Sequence, residues 1–330
     1  MVAKVAVLAF AVVNEELHVS RRSSRLKKAH LNNVMGENEM TYEKIQVRKM
    51  TPRIGAYISG VNLAEGVDDQ TLQEIKNALW ENQVIFFRDQ DMTIEQHKKF
   101  GRLFGDLHTH PASPMAPEGH PDVLTIHADK DSTRIAGEAW HTDVSCDAEP
   151  PMGSILRLHT VPESGGDTMF ASMYAAYDAL SDTMKDFLKG LTAVHSGERV
   201  YRRNYGYTKG HRSDVGDTFP EHEHPVIRTH PDTGRQTLFV NSGFTSHIKG
   251  LHPNESEMLL SYLYAHIARP EFHCRFRWES GSIAFWDNRC AQHHALWDYY
   301  PNVRSGYRVT IKGDRPYFKE DSPVKKTAAA

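Results

Sequence analysis

From residue 123 onward the chain breaks into short apolar and β-branched runs separated by turns, and few folds accommodate that pattern. Residues 123–126, 154–158, 168–170, 238–240, 276–278, 282–286 and 307–311 each read as a short strand. Helical spacing interrupts them at 173–180, 182–188 and 255–268. Many short strands joined by turns, with few helices between, predict a mainly β protein with flanking helices and two packed sheets of the jelly-roll kind.

The segment before residue 123 reads differently. Residues 44–47 and 56–58 suggest short strands. Residues 69–81 have helical spacing, with Leu72, Ile75, Leu79 and Trp80 on one face and Asp68 or Asp69 as cap. Val84–Phe87 is a compact buried strand ended by Arg88, Asp89 and Gln90. Residues 93–104 predict a second helix capped by Thr93, with Glu95 close behind. A loop rich in Pro and His follows at 108–120.

No internal repeat or Pro/Ser linker divides the 330 residues, so one domain is expected over 41–319, with a disordered extension at 1–40 and a tail at 320–330. The extension contains an apolar run at 5–13 and a basic stretch at 21–28. The run is too short to span a bilayer. It reads as disordered, or as upstream of a true start at Met35 or Met40; a targeting role for 1–39 is the alternative. A net charge of −3 gives no global attraction to nucleic acid or anionic membrane, and neither is expected as a partner. Cys146, Cys274 and Cys290 form no CxxC pair, which argues against a disulfide scaffold or a zinc-thiolate site and fits a reducing, cytoplasmic setting.

Twenty histidines raise the prospect of a metal site. His141 and Asp143 are one residue apart, so on a strand both side chains face the same way and can reach one ion. Trp140 and Val144 flank them. Downstream, an apolar run (Ile283, Ala284, Phe285, Trp286) leads into Asp287-Asn288-Arg289-Cys290-Ala291-Gln292-His293. Two imidazoles and a carboxylate leave positions open for O2 and organic ligands, the pattern of non-haem iron(II) oxygenases. Zinc accepts the same ligands, and His294 competes with His293 as the third. Arg304 and Arg308 follow, and a guanidinium fork suits a dicarboxylate better than a lysine would.

Trp140-His141-Thr142-Asp143-Val144, Gly165-Gly166-Asp167-Thr168, Phe239-Val240-Asn241 and Trp286-Asp287-Asn288-Arg289 fall in an order that resembles the TauD/TfdA family. Phe104-Gly105-Asp106-Leu107-His108 and Pro225-Val226-Ile227-Arg228-Thr229-His230-Pro231 extend the resemblance across residues 54–318, with taurine dioxygenase the member most alike. The resemblance implies a double-stranded β-helix (a cupin-like jelly roll) and an iron(II)- and 2-oxoglutarate-dependent dioxygenase that uses O2. It implies His141, Asp143 and His293 as metal ligands and Arg304 with Thr168 as holders of the distal carboxylate of 2-oxoglutarate. His110 and Arg308 match residues that hold the acidic group of the substrate, with Val144, Phe244 and Tyr201 beside them.

Where taurine dioxygenase holds the substrate amine with a Tyr and an Asn, this chain has Ser113 and Gly137. The pocket is therefore expected to prefer a sulfonate, an alkyl sulfate or an aryloxyalkanoate over taurine. Hydroxylation beside the heteroatom would yield succinate and CO2, with collapse of the product to a carbonyl compound plus sulfite, sulfate or a phenol. Desaturation or oxidative decarboxylation on the same scaffold, a zinc-dependent hydrolase and a non-catalytic acid-binding protein are the rival readings. Relatives of this kind often form dimers or tetramers, so a homo-oligomer is compatible with the chain.

Overall fold

A computed structural model describes residues 41–110, 116–205 and 218–320, without the side chains of 203–205. The expected extension at 1–40, Ser113 and nearly all of the expected tail lie outside these residues.

In chain order, β1 (Gln46–Lys49) and β2 (Ala56–Ser59) precede α1 (Asp69–Asn82), β3 (Val84–Phe87), α2 (Ile94–Arg102) and β4 (Val123–Ala128). Next come β5 (Gly153–Thr160), β6 (Thr168–Ser172), α3 (Met173–Asp178), α4 (Asp182–Leu188), β7 (Thr192–Ser196) and α5 (Glu198–Tyr205). Then follow β8 (Glu221–Pro225), β9 (Ile227–Thr229), β10 (Gln236–Leu238), β11 (Thr245–Ile248) and α6 (Pro253–Ile267). The last strands are β12 (His273–Phe276), β13 (Ile283–Asp287), β14 (Ala291–Ala295) and β15 (Arg304–Ile311).

Seven strands form one sheet in the order β1-β2-β3-β13-β5-β15-β4, and β12-β6-β14 form a second. Alternation along the strands of the large sheet gives it two apolar faces. Val84, Phe86, Leu156, Leu158, Ala284 and Trp286 pack toward Phe170 and Phe276 of the small sheet, and the Phe86 and Phe276 rings stack at 4.1 Å. On the opposite face Phe285 meets Phe100 of α2 and the neighbouring Phe104. A further core packs α3, α4 and α6 against β7 and β9–β11. This is the expected mainly β architecture: two facing sheets flanked by helices. Among the described residues no helix is long and apolar enough to cross a membrane, and no disulfide joins the three buried cysteines.

Several boundaries differ from expectation for identifiable reasons. The first strand starts at Gln46 because the Glu74 carboxylate accepts the backbone N–H groups of Glu43, Lys44 and Ile45, drawing them away from the ladder. Asp68 is the cap of α1 and accepts from Thr71 N–H at 2.7 Å. Its buried face runs through Thr71, Ile75, Ala78 and Leu79, leaving Leu72 and Trp80 only half-buried. Gln96, not Glu95, closes the capping box with Thr93. Strands β7, β8, β9, β11 and β14 were not anticipated. In β8 (Glu-His-Glu-His-Pro) His224 is the buried residue and Glu221 and Glu223 are exposed, so the alternation exists but carries no hydrophobic signal.

Two buried histidines make the fold sensitive to acid. His97 of α2 donates through Nε2–H to Ile155 O, and His224 donates to Asp147 O. Burial pushes both imidazoles from the ordinary 6.5 down to about 4. The unfolded chain therefore binds more protons between these values, and the stabilisation is intact above about 6.5 and lost as the pH falls toward 4. Urea unfolding across that window should show a loss on the order of 3 kcal/mol for each group; a flat profile would mean that neither histidine is buried neutral.

Candidate active site

The site begins with a backbone pairing. His141 N–H donates to His293 O at 3.2 Å and His293 N–H donates to His141 O at 2.9 Å, an antiparallel bridge that sets the two rings 4.1 Å apart. The expectation that His141 and Asp143 share a regular strand needs correction. His141 occupies an isolated bridge, and Asp143 already belongs to a tight turn. Val144 in that turn takes a left-handed φ of 46°, and Asp147 N–H closes it onto Val144 O. The turn, rather than strand alternation, swings the Asp143 carboxylate back toward the imidazoles.

The ligand atoms of His141, Asp143 and His293 all lie within 4.8 Å of one another. His141 Nδ1–H donates to Ala139 O at 2.8 Å, which leaves the Nε2 lone pair directed at the cluster. His293 Nδ1 is buried and meets no hydrogen-bond partner among the described residues. Burial and the neighbouring His141 hold His293 well below its ordinary pKa, and burial lowers His141 as well. Both rings are thus neutral, the form that binds a metal. Burial alone would raise the Asp143 carboxyl, but the charge of Arg308 and the Ser154 hydroxyl hold it well below the ordinary carboxylate range. Two neutral imidazoles, that of His293 buried, and one buried, ionised carboxylate fit a divalent ion. His294 points elsewhere, with its ring against Trp140 at 5.5 Å.

These three residues line one cavity of about 270 Å³, and its wall also includes His110, Thr168, Tyr201, Phe244, Arg304 and Arg308. Arg304 is buried; its Nε–H donates to Gly166 O at 3.0 Å and its Nη2 to Thr168 Oγ1 at 3.3 Å. It forms no ion pair among the described residues, and burial lowers its pKa to about 10. Arg308 Nη1 donates to Asp143 Oδ1 at 2.7 Å, while its buried Nε has no partner among the described residues. His110 is buried and held well below its ordinary pKa by burial and by Arg308, so it presents a neutral ring. Val144 is the exception among the expected residues. Its side chain is fully buried behind the wall, packed against Cys146, Tyr201 and Phe244, and does not line the cavity.

Gly137 also lines the cavity at a φ of 89°, and a Cβ there would stand 3.2 Å from His141 Cε1. A side chain at this position would press on the imidazole, which explains the glycine and the missing polar contact. Arg199 on α5 was not foreseen; it reaches the cavity wall and donates to the carbonyls of Ser242 and Gly243. Nothing in its spacing pointed to the site.

A second group of potential ligands, His230, Asp287 and Cys290, is already committed. Arg289 and His230 donate to both Asp287 oxygens, and His230 Nδ1 accepts from the N–H groups of Asp232 and Thr233. No nitrogen of that histidine is left for a metal.

Residues 46–310 match the family model described as taurine catabolism dioxygenase TauD, TfdA family. The chain belongs to this family. Like its other members, this TauD/TfdA protein is a dioxygenase that uses iron(II), 2-oxoglutarate and O2. It is 36% identical over 278 residues to an alkylsulfatase of Acinetobacter baylyi, covering 82% of this chain and 86% of that one. It is 36% identical over 279 residues to an alpha-ketoglutarate-dependent sulfate ester dioxygenase of Pseudomonas putida, covering 83% and 91%. The solved structure of a taurine dioxygenase from Burkholderia xenovorans superposes with a TM-score of 0.71 at 38% identity, covering 83% of this chain and 93% of that one. The double-stranded β-helix of such oxygenases is therefore the fold of this TauD/TfdA chain.

Metal titration of the purified protein distinguishes the two adjacent histidines. His293→Ala should lose high-affinity cobalt(II) binding, whereas His294→Ala should bind as the parent protein does. Equal loss in both variants would contradict the ligand geometry.

Proposed function

We propose that His141, Asp143 and His293 hold the iron(II), that Arg304 and Thr168 receive the distal carboxylate of 2-oxoglutarate, and that His110 and Arg308 hold the acidic group of a small organic substrate. The observation that carries this reading is Arg304, a buried guanidinium on the cavity wall with no ion pair among the described residues. A buried charge is costly unless paired, so a carboxylate entering the cavity supplies what the fold withholds. Thr168 Oγ1 already accepts from Trp278 Nε1–H at 2.9 Å and from Arg304. Its own proton is then free to donate to the same carboxylate.

Arg304 and Arg308 lie four residues apart on β15, about 13 Å along a strand. That spacing suits two different acids in one cavity: the cosubstrate at one arginine and the substrate at the other. Arg308 beside the neutral His110 suits a sulfate or sulfonate, with several acceptor oxygens for the guanidinium and the imidazole N–H. Val200, Tyr201 and Phe244 add apolar wall for the organic part. Gly137 offers no side chain to an amine, which favours an alkyl sulfate, a sulfonate other than taurine, or an aryloxyalkanoate. Relatives that act on sulfate esters support the same class.

Bound iron(II) supplies the oxidising chemistry, in which 2-oxoglutarate is converted to succinate and CO2 and a substrate C–H is hydroxylated. The protein supplies position and charge. Arg304 and Thr168 orient the cosubstrate, Arg308 and His110 fix the acid so that the carbon beside its heteroatom reaches the metal side of the cavity, and the apolar wall limits water.

The division of labour is testable by steady-state succinate release with a panel of alkyl sulfates, sulfonates and aryloxyalkanoates. Arg304→Ala should raise the KM for 2-oxoglutarate roughly 10- to 100-fold, the worth of one charge-assisted hydrogen bond, and leave the KM for the substrate near its parent value. Arg308→Ala should do the reverse. If both changes act on the same KM, the two anchors are wrongly assigned; acid-dependent turnover without O2 uptake would exclude the oxygenase reading altogether.

A further inference from the structure

The acid-binding side of the cavity depends on a segment that regular strand pairing does not reach. Strand β4 covers one edge of β15 as far as Val309, which faces Val123. Beyond that point the residues before His110 take over the edge. Leu107 bridges Ile311, His108 N–H donates to Thr310 O at 2.8 Å, and Lys312 N–H donates to Asp106 O at 2.8 Å. Continued in the same register, His110 would stand opposite Arg308, but Leu124 of β4 already holds that place. The pairing therefore stops at His108, two residues short of the imidazole on the cavity wall. Backbone pairing with β15 leaves His110 unfixed against Arg308.

A side-chain contact takes its place. His108 Nε2–H donates to Asp147 Oδ2 at 2.9 Å, and both residues are buried. A charged acceptor out of reach of water makes this a strong hydrogen bond. The other ring nitrogen, Nδ1, meets no hydrogen-bond partner among the described residues, so the bond to Asp147 orients the ring. Asp147 is itself fixed. Its N–H closes the turn onto Val144 O at 3.0 Å, and its carbonyl accepts from His224 Nε2–H at 2.9 Å. The segment that ends in His110 is thereby tied to the turn that carries Asp143.

We propose that His108, held by Asp147, is a positioning residue that sets His110 for the acidic group of the substrate. The inference rests on the reading that His110 and Arg308 hold that group. Only Thr109 separates the two histidines, so fixing the first ring restricts where the second can stand. Arg308 needs no such support, because it sits on β15 and donates to Asp143. An imidazole free to drift would have to be ordered by the substrate itself, at a cost in affinity. The His108–Asp147 bond removes that cost before the acid arrives, and it sets the His110 half of the anchor from the turn beside the metal ligands.

Calorimetric titration of the protein loaded with cobalt(II) and 2-oxoglutarate tests this without turnover, with hexyl sulfate, hexanesulfonate and phenoxyacetate as probes. His108→Ala should bind every probe that the parent binds roughly 10- to 100-fold more weakly, and should bind 2-oxoglutarate as the parent does. His108→Gln, whose amide N–H reaches as far as Nε2, should restore most of the affinity. Should the alanine variant not fold, His108→Phe combined with Asp147→Leu removes both polar partners together and should show the same selective loss. Parent-like probe binding in His108→Ala, equal weakening toward the probes and 2-oxoglutarate, or no recovery in His108→Gln overturns the inference. His110→Ala separates this from the underlying reading: probe affinity that survives it, or a parent protein that binds no probe, refutes the acid anchor. Loss of binding in His110→Ala beside a parent-like His108→Ala refutes the role of His108 alone.

Discussion

Two reciprocal backbone hydrogen bonds between His141 and His293 hold the candidate site together. The segment that carries His141 lies outside the regular ladders. It is fastened to β14 by this pair and by Ala295 N–H donating to Gly137 O at 2.9 Å. Strand β14 in turn pairs with β6, placing His293 opposite Phe170, and the large sheet packs on Phe170 from the other side. The position of a loop histidine is thereby transmitted to the apolar core. A core packed to crystal-like density allows little drift, and two imidazoles from distant parts of the chain stay in register with one carboxylate.

The turn after Asp143 is secured by a different means. Ser145 Oγ pairs with His195 Nδ1 at 2.9 Å and accepts from Asn241 Nδ2 at 3.0 Å. His222 donates to Cys146 O, His224 to Asp147 O, and His108 to the Asp147 carboxylate. A neutral imidazole offers one donor and one acceptor on a rigid ring, which suits it to tie irregular backbone that no ladder can satisfy. The abundance of histidine therefore reflects scaffolding around the site more than metal ligation itself.

The buried arginines divide by what they pair with. Arg289 is held by Asp287 and Asp232, and Arg228 by Asp314; these stay where they are. Arg304 has only neutral acceptors, and Arg308 leans on Asp143. Leaving a buried guanidinium without its own acid lowers the stability of the empty protein and raises the gain when an acid arrives.

The sequence alone determined the chemistry. Residue types and their order were enough for the mainly β architecture and for naming His141, Asp143, Arg304 and Arg308 as candidates, since a metal and an acidic ligand call for these side chains wherever the backbone runs. Strands were legible where apolar alternation marked them, as in Val84–Phe87, and illegible where histidines replaced the inward apolar residues, as in β8. Tertiary structure decided the rest. It placed Asp143 in a turn rather than on a strand, put Val144 behind the cavity, brought Arg199 to its wall, and chose His293 over His294. It also brought the Ser154 hydroxyl to the Asp143 carboxylate and the Asn288 amide to Ser154. These outcomes depend on which backbone groups find partners across long stretches of chain, and such pairings follow from packing and register, which local residue patterns do not encode.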